Sequence, residues 1–210
     1  MVPDPKQGGQ SFIEAARRAQ IVASAIEEIA ESGYSQASTV RIAARAGVSR
    51  GVITYHFAGR DDLITAVVME VYLAGAQVMV PAIEAESTCA GKLAAYITSN
   101  VRFIHGNRAH ALAVLQIWTS YRTAEGKRLD EAAADQEPPP ELAALQPATF
   151  LREGQRRGEF RAFDVPAMAV ALRQSIDGAV LEVSRDPEFD VIGYGRELVT
   201  LFDHATRRQT

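Results

Sequence analysis

The chain has 210 residues, of which 47% are hydrophobic, and a formal net charge of -4 at pH 7. That much apolar sequence is enough for a substantial core, which excludes a chain that is disordered over most of its length. The single cysteine, Cys89, cannot form an intramolecular disulfide, and the first ten residues have no apolar run typical of a secretory signal, so we predict a cytoplasmic protein.

Helix-forming residues dominate the composition, and no alternating polar and apolar runs lie between paired turn signals, which predicts an all-α fold. The first helix is expected from Phe12 to Ser32, with Ser11 and Glu14 as a capping box and Gly33 as its stop. Its expected inward stripe is Phe12, Ala16, Ala19, Ala23, Ile26 and Ala30.

Two short helices are predicted next, separated by a tight turn. Ser38 or Thr39 can cap the first of them, and Ser49 can cap the second. Gly47 can adopt a positive φ in the turn without steric cost, and Val48 is the expected apolar plug between the helices. Two helices joined in this way form a helix-turn-helix.

The outward face of the second short helix suits the major groove of DNA. With Ile53 and Phe57 placed inward, Arg50 can donate two hydrogen bonds to guanine and Val52 can touch a thymine methyl group. Gly51 would let the backbone come close to the bases. Phosphate contacts are expected from Thr39, Thr54, Tyr55, His56 and Arg60.

Charge is distributed unevenly along the chain. The first 60 residues carry seven basic and five acidic side chains, whereas the remainder carries 15 basic and 21 acidic ones. The first 60 residues are thus basic and the remainder is acidic. This distribution is compatible with nucleic-acid binding but does not prove it, because charged residues on helix surfaces also keep a protein solvated.

A fourth, widely apolar helix is predicted after Gly59. Its segment Ala66–Ile83 is long enough for a membrane span to be considered. Glu70, Gln77 and Pro81 interrupt that segment, so a buried core helix is favoured and no membrane is predicted as a partner. Pro81 is expected to kink or end the helix.

Five more helical segments bring the predicted total to nine, and they cover Gly91–His105, Asn107–Arg122, Pro140–Arg157, Val165–Ser184 and Val191–Arg207. The acidic, proline-rich stretch 130–141 is expected to be a loop. We predict two domains. Residues 1–59 form a helix-turn-helix DNA-binding domain that starts with a flexible tail, 1–10, and residues 60–210 form a helical effector-binding and dimerisation domain.

The last two helices have long apolar stripes, with Asp164 as a cap for the first of them. Such a two-helix face suits a symmetric four-helix interface in a homodimer. The predicted interface residues are Leu172, Ile176, Ala179, Val183, Leu198, Leu201 and Phe202. A purely intramolecular core explains the same periodicity equally well.

No catalytic motif, phosphate-binding loop or pair of zinc ligands is found in the sequence, so we predict no enzyme activity, no metal and no cofactor. Aromatic and amphipathic side chains in the body could instead line an apolar pocket with a few polar anchors. The candidate ligand contacts are Tyr72, Met79, Asn100, Phe103, His110, Trp118, Tyr121, Phe150, Met168 and Asp177.

The segment STVRIAARAGVSRGVITYHFAGRDDLI, Ser38 to Ile64, resembles the tetracycline-repressor (TetR) family of bacterial transcription regulators. The resemblance implies a nine-helix, Ω-like homodimer with N-terminal DNA-binding heads, a ligand pocket in the body and dimerisation through the last two helices. It places the DNA contacts on Thr39, Ser49, Arg50, Gly51, Val52, Thr54, Tyr55, His56 and Arg60. Thr54 departs from the pattern, since many members have an aromatic residue there.

The predicted function is therefore a ligand-responsive repressor that binds a palindromic DNA operator as a homodimer and is released by a small molecule of unknown identity. Two alternatives stay open. One is an all-α small-molecule-binding protein or enzyme in which the helix-turn-helix only serves packing. The other is a DNA-binding or protein-interaction dimer without a small ligand.

Overall fold

The computed structural model describes residues 5–123, 125–129, 131 and 139–208. Within these ranges the chain is all-α, as predicted, and the extended backbone makes only an isolated antiparallel bridge between Phe160 and Arg207. The described helices are α1 Pro5–Ser32, α2 Thr39–Arg45, α3 Arg50–His56, α4 Arg60–Glu84, α5 Cys89–Gly106, α6 Arg108–Ser120, α7 Pro140–Ala143, α8 Pro147–Arg156, α9 Val165–Arg185 and α10 Val191–Thr206.

The helices form two compact units. The first runs up to Glu70 and includes the segment that starts at Gln116, and the second contains Val71–Leu115 and the C-terminal helices α7 to α10. The sequence prediction placed a single boundary between residues 59 and 60, whereas the compact units divide within α4 and within α6. The start of α4 belongs to the first unit because Leu63 and Val67 are fully buried there.

Helix α1 differs from its prediction in start and in phase. It begins at Pro5, so residues 5–10 are helical rather than a flexible tail, and residues 1–4 lie outside the described residues. Proline suits a first helical turn because its missing N–H has no intrahelical partner there. The expected capping box at Ser11 therefore lies inside the helix. The buried stripe is Ile21, Val22, Ala25, Ile26 and Ile29, and it shares only Ile26 with the predicted row that starts at Phe12.

The helix-turn-helix has the predicted turn chemistry. Gly33 and Gly47 adopt φ values of 88° and 64°, in the left-handed region that glycine enters without steric cost. Ser38 caps α2, since its Oγ accepts a hydrogen bond from the Arg41 backbone N–H at 3.3 Å. These features place α3 directly after a short, defined turn.

Helix α2 is fixed to α1 by ion pairs of Arg41 and Arg45 that the sequence analysis did not identify. The Glu28 side chain is almost fully buried and accepts from Arg41 Nε at 2.5 Å and from Arg45 Nε at 2.9 Å. Arg45 also binds Glu31. Burial opposes ionisation of Glu28, but the hydrogen bonds from its neighbours outweigh it and hold its pKa below the ordinary value.

Proline shapes the helices of the second unit in two places. Pro81 does not end α4, which continues to Glu84. Pro147 opens α8, so the single helix predicted over 140–157 is split into α7 and α8. Helix α4 is long and apolar enough to cross a membrane by length and composition alone, a criterion that buried core helices also meet.

Helix α5 lies at the centre of the second unit. It packs against α10, α8 and α9, and α9 also packs against α8 and α10. The fully buried side chains here include Tyr96, Ile97, Leu151, Leu172 and Ile176. Asp164 caps α9 as predicted, since its Oδ1 accepts from the Ala167 backbone N–H at 2.7 Å.

Candidate nucleic-acid interface

Helix α3 presents most of its surface to solvent. It spans Arg50–His56, and Ile53 is its one fully buried side chain, with Phe57 buried just beyond the C-terminal end. Arg50 and Gly51 are exposed, and Tyr55 is 72% exposed. A helix that keeps an arginine and a tyrosine outside while one turn anchors it is suited to contact another molecule.

Gly51 is not required by the fold. A Cβ atom built at Gly51 would have Ser49 Oγ as its nearest neighbour at 3.6 Å, an ordinary contact distance. The φ angle of Gly51 is not in the positive region that favours glycine. The missing side chain therefore leaves a flat stretch of exposed backbone on α3, where a partner can approach closely.

The hydroxyl groups at α3 differ in availability. Ser49 occupies the N-cap position as predicted, but its side chain makes no capping hydrogen bond to the helix. Thr54 Oγ1 donates to the Gly51 carbonyl at 3.0 Å, so its donor is used within the helix. The Ser49 hydroxyl is therefore better placed than that of Thr54 to donate to a phosphate.

The N-terminal part of α1 borders the same face and adds residues that sequence reasoning missed. The Tyr55 hydroxyl donates to Glu14 Oε1 at 3.2 Å, and the Tyr55 and His56 rings meet edge to face with centroids 5.0 Å apart. A shallow groove is lined by Ile13, Glu14, Arg17, Ser49, Gly51, Val52, Tyr55 and His56. Seven of the nine predicted DNA contacts thus lie on this part of the first unit: five line the groove, and Arg50 and Thr54 are exposed on the same helix.

Arg60, predicted as a phosphate clamp, has a structural role in this conformation. Its guanidinium donates to the Ala37 carbonyl at 2.7 Å and to the Tyr34 carbonyl at 2.8 Å, and it stacks 4.8 Å from the Tyr34 ring centre. These contacts fix the loop between α1 and α2. Thr39, the ninth predicted contact, is the first residue of α2 and is half-buried.

Two of the predicted ligand contacts belong to the first unit. They are Trp118 and Tyr121. The Tyr121 ring packs edge to face on Tyr34, and the Tyr34 backbone N–H donates to Gln116 Oε1 at 2.9 Å. Burial, together with the Asp61 carboxylate, raises the pKa of Tyr121 to about 12. Tyr121 is thus part of the packing of the first unit.

In the second unit the structure brings Asn100 and Asp177 into contact with Arg173, which the sequence analysis did not single out. Arg173 NH1 donates to Asn100 Oδ1 at 3.2 Å, and its guanidinium pairs with Asp177 at 2.9 Å. Tyr96, whose hydroxyl accepts from Arg173 at 3.4 Å, packs its ring against Phe150. The other predicted ligand residues of this unit are buried (Met79, Phe103) or half-buried (Tyr72, His110, Met168).

Most of the residues predicted for the dimer interface are not on the surface of the chain. Six of the seven lie in the core of the second unit, with no more than 7% of their surface exposed: Leu172, Ile176, Ala179, Val183, Leu198 and Phe202. They fill the space between α9, α10 and their neighbours, which is the intramolecular alternative. Leu201 is 57% exposed, and the sequence reading missed the exposed Val170 and Leu181 on α9.

A family profile described as "Bacterial regulatory proteins, tetR family" matches residues 21–67, which cover the C-terminal part of α1, all of α2 and α3, and the start of α4. The part of the chain that contains the helix-turn-helix is thus similar to the TetR family. The matched stretch contains the helix-turn-helix and the buried residues that hold it together.

Two curated regulators each match part of the chain. "HTH-type transcriptional regulator BetI 1" of Chromohalobacter salexigens is 37% identical over 67 residues, which are 32% of this chain and 31% of that protein. "Fatty acid metabolism regulator protein" of Bacillus subtilis is 32% identical over 96 residues, 46% of this chain and 48% of that protein. The chain thus matches between about a third and a half of the length of these relatives.

Solved structures are similar over a larger share of the chain. FadR from Bacillus subtilis in complex with stearoyl-CoA has a TM-score of 0.73 at 24% identity and covers 87% of this chain and 96% of that one. A bacterial regulatory protein in the TetR family from Rhodococcus RHA1 has a TM-score of 0.70 at 23% identity, and the match covers 92% of this chain and 98% of that one. At these identities the similarity shows a shared fold, which extends through both units.

Proposed function

We propose that this protein is a DNA-binding transcriptional regulator of the TetR family whose helix α3 reads the major groove. The observation that supports it most directly is the face of α3, where Arg50, Gly51 and Tyr55 are exposed while Ile53 and Phe57 anchor the helix from the other side. A helix that only packs against its neighbours does not require an exposed glycine and an exposed arginine at its N-terminal end.

The roles of the side chains follow from their position on this face. Arg50 donates to guanine O6 and N7, and Val52 contacts a thymine methyl group. Ser49, Tyr55 and His56 contact phosphates, which fixes the register of the helix without reading sequence. Thr39, at the start of α2, adds a phosphate contact, whereas the Thr54 hydroxyl keeps its hydrogen bond to the Gly51 carbonyl. Arg60 keeps its two carbonyl hydrogen bonds and supports the loop instead.

The functional form in this proposal is a homodimer. Two copies of α3 about 34–36 Å apart would enter successive major grooves on one side of the duplex, so the operator is a palindrome. The exposed apolar residues of the last two helices, Val170, Leu181 and Leu201, support an interface there in place of the buried residues first predicted.

A small-molecule effector is the proposed regulator of DNA binding. The polar cluster of Arg173, Asn100, Asp177 and Tyr96 lies beside the hydrophobic core of the second unit and supplies candidate polar anchors for an effector. An effector that prefers a dimer with differently spaced α3 helices would lower operator affinity, and the protein would act as a repressor in the cytoplasm. FadR in complex with stearoyl-CoA makes that compound a reasonable first probe.

The first experiment is selection of bound duplexes from a random DNA library by the purified protein, repeated at two salt concentrations. A palindromic consensus whose affinity falls steeply with salt would support the proposal. Enrichment of no sequence would contradict it and favour the alternative of a small-molecule-binding protein with a helix-turn-helix used only for packing. Stearoyl-CoA is then titrated into the complex with the selected duplex, with free coenzyme A as the control.

A further inference from the structure

Helix α3 has few internal means of fixing its orientation. It is seven residues long, it has one fully buried side chain, and its N-cap serine makes no capping hydrogen bond. A short helix held by Ile53 alone could rotate or tilt about that contact. A helix that must place Arg50 against a base edge therefore needs further contacts to hold it in place.

Arg18 of α1 supplies such a contact at the C-terminal end of α3. Its NH1 donates to the carbonyl of His56, the last residue of α3, at 2.7 Å. Its guanidinium also stacks on the ring of the buried Phe57, 4.1 Å from the ring centre. A cation that binds the last carbonyl of a helix satisfies an acceptor that has no intrahelical partner and complements the helix dipole.

The same guanidinium connects α3 to α4. Arg18 NH2 lies 3.7 Å from Asp62 Oδ1, and Asp62 Oδ2 accepts from the backbone N–H of Ala58 at 3.0 Å. The two groups thus bracket the segment His56–Ala58 between α3 and α4. Two residues further along α1, Gln20 Nε2 donates to the Ala46 carbonyl at 2.9 Å, beside the end of α2.

We propose that Arg18 is a positioning residue for DNA recognition: it fixes the end of α3 so that Arg50 meets the bases at a defined depth and angle. This inference rests on the proposed function. Arg18 contacts no base in this proposal, and it acts through the His56 carbonyl and the Phe57 ring. Its loss should therefore reduce discrimination between DNA sequences more than it reduces attraction to DNA in general.

The test compares Arg18→Met, which keeps an apolar stem against Phe57, with Arg17→Met, which removes the same charge one residue earlier. Arg17 is exposed, lines the groove and donates to Gln20 at 2.8 Å, without a described contact to α3 or α4. Each variant is titrated with the selected duplex and with a scrambled duplex of the same composition, at several salt concentrations. Circular dichroism and thermal unfolding show whether each variant is folded.

For Arg18→Met the ratio of specific to non-specific affinity should fall about tenfold, the scale of one lost base contact, while the salt slope stays that of the unsubstituted protein. For Arg17→Met both affinities should fall together and the ratio should hold. Arg18→Lys should restore only part of the ratio, since an ammonium group cannot stack on Phe57 and bridge to the carbonyl as a planar guanidinium does.

An unchanged ratio in folded Arg18→Met would overturn the inference while leaving DNA recognition intact. Absence of any preference in the unsubstituted protein would instead overturn the proposed function. If Arg18→Met does not fold, Asp62→Asn decides the question, because it weakens the pair with Arg18 but keeps an oxygen for the Ala58 N–H. A decrease in the ratio of specific to non-specific affinity, smaller than the roughly tenfold decrease expected for Arg18→Met, supports the inference. An unchanged ratio in Asp62→Asn overturns it.

Discussion

The substitution Gly51→Ala separates the fold from DNA recognition. The added methyl group would lie 3.6 Å from Ser49 Oγ, so nothing in the first unit has to move. Alanine also loses less backbone entropy on entering a helix than glycine does, by roughly 0.5–1 kcal/mol. We therefore expect the unfolding free energy to stay the same or to rise by up to about 1 kcal/mol.

DNA binding should respond in the opposite direction. If the backbone of α3 lies against the base edges at Gly51, a methyl group there pushes the helix outward and stretches the bidentate contact of Arg50. Loss of such a contact costs about 1–3 kcal/mol, or roughly 5- to 150-fold in affinity for the selected duplex. Affinity for a scrambled duplex should change much less, because phosphate contacts tolerate a small shift.

Urea unfolding and fluorescence anisotropy with a labelled duplex measure the two effects on the same preparation. Gly106→Ala is the matched control, since a Cβ at that helical glycine of the second unit meets nothing within 4 Å. It should leave operator affinity unchanged. A stably folded Gly51→Ala protein that binds the selected duplex as tightly as the unsubstituted chain would refute the close approach of α3 to the bases.

Three further predictions concern stability and assembly. Glu28→Gln should destabilise the first unit by about 1–2 kcal/mol at pH 7, because Arg41 and Arg45 lose a charged acceptor. Folding lowers the pKa of Glu28, so the stabilisation is lost when Glu28 is protonated at low pH. The difference in unfolding free energy between the variant and the unsubstituted protein, measured in urea, should therefore disappear as the pH falls below the ordinary carboxyl range. Tyr121→Phe should reduce the loss of stability between about pH 10 and 12, where the tyrosine ionises in the unfolded chain but stays neutral when folded; equal alkaline sensitivity would contradict this. Leu201→Asp should shift sedimentation from dimer to monomer without lowering the melting temperature, and an unchanged dimer would place the interface elsewhere.

The local features of the head could be predicted from sequence because they are encoded within a few residues. Gly33 and Gly47 mark positions of positive φ, Ser38 is a preferred N-cap, and Ile53 and Phe57 are spaced one helical turn apart. Each of these signals depends on neighbouring residues alone. The resemblance to the TetR family over Ser38–Ile64 rests on the same local signals.

The phase of α1 could not be predicted because the helix is rich in alanine on several faces. The row of apolar residues that begins with Phe12 also follows the spacing of one helix face. The structure buries Ile21, Ile26 and Ile29, since large aliphatic side chains remove more apolar surface from water than alanine does. Side-chain size, rather than spacing, therefore selects the buried face.

Contacts between residues that are far apart in the chain were also not predicted from the sequence. Arg18 and the His56 carbonyl are 38 residues apart, and Arg41 and Glu28 are 13 apart, so no local pattern pairs them. The choice of residues for the dimer interface failed for a related reason. Periodicity shows that Ile176 is buried but not whether its neighbour belongs to the same chain, and here the same chain covers it.

The most direct measurement of sequence reading by α3 is selection from a random duplex library with the unsubstituted protein and with Arg50→Ala in parallel. The unsubstituted protein should yield a palindromic consensus, and Arg50→Ala should yield the same consensus with its preference for guanine lost at one symmetric pair of positions. If both proteins enrich the same consensus with the same information at every position, α3 does not read the DNA through Arg50 and the assignment of the interface is contradicted.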